Sequence, residues 1–83
     1  MKRSEVYVGM PATTTTELEG ELFGCITPET PLRRVFPPGT PGEIRDTRVP
    51  AVYSNREFCC LDVYHNGARY RLRPWYNEFK HRQ

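Results

Sequence analysis

The stretch "YHNGARYRLRPWYNEF", Tyr64–Phe79, decides the fold, because it holds a tight-turn signal inside an alternating pattern. Asn66–Gly67 is the dipeptide that a two-residue type I′ turn demands, with both central residues at positive φ. With these two as the turn, His65 faces Ala68. Tyr64 then faces Arg69, Val63 faces Tyr70, Asp62 faces Arg71, Leu61 faces Leu72 and Cys60 faces Arg73. Side chains alternate along a strand. One face therefore gathers Cys59, Leu61, Val63, Tyr70 and Leu72, a core face that Ile44 is expected to join. The other gathers Phe58, Cys60, Asp62, Tyr64, Arg69, Arg71 and Arg73. A slip of one residue would bury three arginines, so the register is well determined.

Outward from this hairpin, glycine and proline punctuate the chain. Eight prolines and six glycines in 83 residues favour short strands and turns over long helices. "SEVYV", Ser4–Val8, reads as a first strand closed by "GMP". In "ATTTTELEGELFG" four threonines favour extended chain. The Thr16–Glu19 spacing is that of a capping box, which suggests a helical turn ending near Gly24. Residues 26–42 read as a long proline-rich loop, whose length in so small a domain points to a functional or packing role. "GEIRDTRVPAVY" reads as a strand in which Pro50 forces a bulge or an edge position. "SNRE", Ser54–Glu57, is a turn, "FCCLDVY" a strand, and residues 80–83 a flexible tail. The whole is one small domain, 1–83, with a modest core.

The net charge of +2 hides an asymmetry. Residues 1–31 carry two basic and five acidic side chains. Residues 32–83 carry ten basic and five acidic ones, and nine of the ten are arginines. A basic part of this kind meets nucleic acid or an acidic protein surface. Arginine also suits hydrogen-bonded and stacked contacts better than lysine does. The three cysteines, Cys25, Cys59 and Cys60, are an odd count, and the adjacent pair sits on opposite strand faces. Free thiols are expected, with Cys59 in the core and Cys60 at the surface. No stretch reads as a signal peptide, a membrane span or a lipidation site, so a cytoplasmic chain with reduced thiols, off the membrane, is expected.

The run "VFPPGTPGEI", Val35–Ile44, followed by a strand, "LDVYHNGARYRLRP" and a short terminal turn, resembles small Src-homology-3-like barrels of bacteria, including KOW-type ones. Their frequent "P-x-G-T-x-G-x-V" entry into a strand corresponds to Pro37, Pro38, Gly39, Thr40, Pro41, Gly42, Glu43 and Ile44. The resemblance spans roughly residues 35–79 and leaves the N-terminal third unexplained. It implies a mainly β fold, a small antiparallel barrel with a long proline-rich loop and little helix. It also implies partner binding rather than catalysis, because most such barrels are binding modules. One fold hosts many functions, so it does not select the partner.

Catalytic and cofactor chemistry find no support in the residues. Cys59 and Cys60 cannot jointly chelate, and the C-x₂-C spacing of zinc sites is absent. His65 lies six residues from Cys59, roughly 20 Å along a strand, too far for proton transfer. No glycine-rich phosphate loop precedes a helix. The expectation is a non-enzymatic protein with no cofactor and no metal. It would act as an adaptor, inhibitor or regulator by covering a partner's surface, and a phage- or mobile-element-borne inhibitor is one concrete version. The expected contact face is Arg69, Arg71 and Arg73 with Tyr64 and Phe58, bounded below by Trp75 and Tyr76. Asp62 is expected to orient Arg71 through an exposed, weak cross-strand pair. Two other readings remain open: a solvated face that guards the sheet against aggregation, and a small basic nucleic-acid-binding barrel that stacks bases on aromatics.

Overall fold

A computed structural model describes residues 2–24 and 27–82. After one 3₁₀ turn at Arg3–Glu5 come seven strands: β1 (Pro11–Thr14), β2 (Leu18–Leu22), β3 (Arg33–Phe36), β4 (Pro41–Pro50), β5 (Glu57–His65), β6 (Ala68–Leu72) and β7 (Phe79–His81). They form one sheet in the order β3-β2-β6-β5-β4-β1-β7. Each neighbouring pair is antiparallel. The sheet curls into a half-barrel, so the fold is mainly β. The curl brings the Phe36 ring of β3 to 6.0 Å from that of His65, at the end of β5, although β2 and β6 lie between those strands in the sheet.

The β5–β6 hairpin has the register expected from Asn66–Gly67, from Leu61↔Leu72 to His65↔Ala68. Asn66 and Gly67 have φ of 51° and 80°, as a type I′ turn requires. Leu61, Val63, Tyr70, Leu72, Cys59 and Ile44 are all buried. Met10, Ala12, Phe36, Ala68 and Phe79 complete the core. The Tyr70 hydroxyl reaches through this layer and donates to the Pro31 carbonyl at 2.8 Å.

Elsewhere long-range pairing overrides local signals. Of the four threonines Thr13 and Thr14 lie in β1 while Thr15 and Thr16 bend away from it, and the stretch that follows is β2 and not a helical turn. Its ladders to β3 and β6 satisfy more backbone groups than a capping box would. Gly20 makes that packing possible: a Cβ there would lie 2.8 Å from the Phe36 ring and 2.9 Å from Leu72. Ser4–Val8 is no strand either. It holds part of the 3₁₀ turn and a turn closed by the Met10 N–H donating to the Tyr7 carbonyl. The loop expected over 26–42 contains β3 and the start of β4, with Pro41 in the first position of β4, where a strand tolerates proline. Pro50 closes β4, and the register shifts twice before it, between Ile44 and Asp46 and between Asp46 and Val49. The turn after it covers Val52–Asn55, and Glu57 already belongs to β5. Lys80 and His81, expected in a tail, belong to β7, and the Arg82 N–H donates to the Pro11 carbonyl.

Candidate functional site

The outer face of the hairpin is organised by Asp62, and not as an exposed pair. Asp62 is 1% exposed. Arg71 across the strand donates from Nε to Oδ1 at 3.0 Å. Arg69 Nε lies 3.7 Å and Arg45 Nε 3.3 Å from Oδ2. Among the described residues Oδ2 makes no aligned hydrogen bond, so two guanidinium charges rather than a directed bond offset its burial. A carboxylate sunk in this way depends on its cations, because removing one partner of a buried pair is costly where an exposed pair contributes little.

Arg45 arrives there from the first irregularity of β4. Glu43 pairs with Asp62 and Ile44 with Leu61, but Asp46 pairs with Cys60, so Arg45 is the extra residue of a bulge. A hydrogen bond with the Tyr64 hydroxyl, then the charge of Glu43, raise the Arg45 guanidinium above its usual value. Tyr64 itself remains 63% exposed. On the other flank Phe23, just past β2, caps the cluster. Its ring centroid lies 3.8 Å from Arg71 Cζ and 5.0 Å from Arg69 Cζ, within cation–π range. The Phe23 carbonyl accepts from Arg69 Nη2 at 3.2 Å. Arg73 turns to Glu21 of β2 at 3.7 Å.

The expected face thus divides. Arg69, Arg71 and Tyr64 gather around Asp62, with Arg73 beside them. Phe58 and Trp75 form a separate edge-to-face pair, ring centroids 6.1 Å apart, and Arg56 stacks on Trp75 at 4.1 Å. Tyr76 belongs to neither group. It packs against the core, and its hydroxyl accepts from the Arg48 N–H at 3.0 Å, bracing a residue held at φ 55° in the second irregularity of β4. It also lines a cleft of about 410 Å³ with Arg3, Arg56 and Glu57.

Cys60 is not at the surface: it is 7% exposed. Burial raises its thiol pKa, with Asp46 acting in the same direction, while Arg71 and Arg73 oppose them. Those two arginines flank the cysteine on the face where strand alternation alone leaves it open. Burial likewise raises Cys59. Both are free thiols, and Cys25 lies outside the described residues.

Arg45, Phe23, Glu21 and Arg56 were absent from the face read in the sequence. Only a β2 placement beside β6 reveals Phe23 and Glu21, and only the bulge brings Arg45 to Asp62. Among the described residues no helix is long and apolar enough to cross a membrane. Comparison with known proteins finds no matching family model, no matching curated protein and no matching solved structure.

Proposed function

We propose that the chain is a non-enzymatic protein-binding module, an adaptor, inhibitor or regulator that works by covering a partner's surface. Its contact face is the outer side of the β5–β6 hairpin. The curled sheet is compatible with a small Src-homology-3-like, KOW-like barrel, and we carry that as the finer reading of the fold.

The observation that supports a protein partner is the pairing of the arginines. Arg45, Arg69 and Arg71 surround Asp62, Arg73 meets Glu21, and Arg33 meets Glu19 at 2.8 Å. A nucleic-acid surface works by presenting cations to phosphates and releasing counterions. Here each of these cations already lies within 3.7 Å of a carboxylate of the chain, three of them sharing Asp62. The remaining resource is a set of oriented guanidiniums beside the exposed Tyr64 ring, the residue types enriched at the centres of protein interfaces.

Affinity capture with the wild-type chain and with a Tyr64→Ala/Arg73→Ala variant tests the reading. Neither residue pairs with Asp62 directly, and although Tyr64 hydrogen-bonds Arg45, Arg71 and Arg69 remain on the carboxylate, so the variant is expected to stay folded, which its circular dichroism checks. A protein held by the wild type and lost by the folded variant supports the face as the contact. Equal capture by both, or capture of nucleic acid alone, contradicts it.

A further inference from the structure

β3 stands at one end of the sheet with β2 as its single strand neighbour. The Leu22 N–H donates to the Leu32 carbonyl at 2.8 Å, and the same register continues through Gly20↔Arg34 and Leu18↔Phe36. Hydrogen-bonded pairs alternate along an antiparallel ladder. Arg34 and Phe36 therefore bond to β2, while Arg33 and Val35 turn their N–H and C=O groups to the open edge. Among the described residues nothing pairs with them.

A groove of about 420 Å³ lies beside this strand. Consecutive residues of β3 line it, Arg34, Val35 and Phe36. Successive side chains of a strand point to opposite faces, so a hollow touching all three runs along its edge. Val63, Tyr64 and His65, at the end of β5, form the opposite wall. The lining includes a guanidinium and an imidazole but no carboxylate. Arg34 Nε is buried and has no hydrogen-bond partner among the described residues. Val35, like Tyr64, is exposed despite its apolar surface.

We propose that this edge accepts an extended segment of a partner protein as an added strand, with an acidic side chain of that segment answering Arg34. Main-chain bonds to Arg33 and Val35 supply affinity, and the groove selects side chains, the division of labour of strand addition. A second copy of this chain fits less well, because pairing β3 with β3 crowds the Arg33 and Arg34 side chains of both copies into neighbouring positions, and like charges across a ladder are destabilising. The groove shares Tyr64 with the outer face built around Asp62, but the main-chain edge at Arg33 and Val35 lies apart from it, and the inference stands without that face.

The test uses the full chain, labelled for nuclear magnetic resonance, and two end-blocked hexapeptides, one alternating valine and glutamate, the other valine and lysine. The glutamate peptide is expected to shift the Arg33 and Val35 amides, protect them from hydrogen exchange, and bind at least about tenfold more tightly than the lysine peptide, the step that about 1.4 kcal/mol gives. Arg34→Gln should remove most of that preference. Val35→Pro deletes an N–H that no strand uses, so the fold is expected to persist while peptide binding is lost. Equal affinity for the two peptides, no change at either amide, or amide protection that grows with protein concentration in the absence of peptide would each overturn the proposal, the last in favour of a second copy.

Discussion

The two faces of the β5–β6 hairpin are held by different physics. On the inner face Leu61, Val63, Tyr70 and Leu72 exclude water by apolar packing. On the outer face one carboxylate, Asp62, is buried just as deeply, and Arg45, Arg69 and Arg71 make that burial tolerable. The inner face tolerates any residue of suitable shape and polarity. The outer face depends on the identity and geometry of its cations. A face that reads as solvent-exposed alternation is therefore partly structural, and its rim, Tyr64 and Arg73, is the part left exposed to meet something else.

The comparison breaks most visibly at the inner face. Leu61→Ala or Leu72→Ala should cost about 2–4 kcal/mol in denaturant unfolding, as truncations of packed leucines do. A loss below about 0.5 kcal/mol would place these side chains in solvent. Next comes Arg71→Ala, expected to cost about 1–3 kcal/mol because it removes the one directed hydrogen bond to a buried carboxylate while two other guanidiniums remain. Arg73→Ala, a step along the same column but paired with an exposed glutamate, should cost under about 0.5 kcal/mol. If Arg71 and Arg73 prove equally dispensable to stability, Asp62 is not the organiser described here.

The smallest effect concerns the thiols. Burial raises both Cys59 and Cys60, so the folded chain keeps them protonated where the unfolded chain begins to ionise. Their contribution to stability is whole below the ordinary thiol value and is lost as pH climbs through the raised values, on the alkaline side. Alkylation at neutral pH should be slow at both sites in the folded chain, and the unfolded, unreduced chain should titrate three thiols. Fast native alkylation at Cys60 would return it to the surface.

The hairpin was legible because its determinants are local. Asn66–Gly67 dictates the turn, and a period of two then assigns every residue from Leu61 to Leu72 to a face. The strands that complete the sheet were not legible. β2 looks helical from Thr16 and Glu19, and β3 hides in a proline-rich run, because both exist through partners distant in sequence. The site was readable by halves for the same reason. Asp62 opposite Arg71 follows from the turn, whereas Arg45 needs a bulge and Phe23 needs β2 beside β6. The depth of Asp62 and Cys60 was missed because alternation assigns a side but not the coverage that long arginine side chains from neighbouring strands provide.

The outer face is proposed to meet protein with guanidiniums that are already paired to the chain's own carboxylates, three of them sharing Asp62. The most direct measurement is the affinity of the captured partner between about 50 and 200 mM salt, for the wild type and for the folded Tyr64→Ala/Arg73→Ala variant. The account predicts a modest change with salt and a clear loss, about 1–3 kcal/mol, in the variant. A fall of about a thousandfold or more over that range, the signature of multiple phosphate contacts, or an undiminished affinity in the variant, would contradict it.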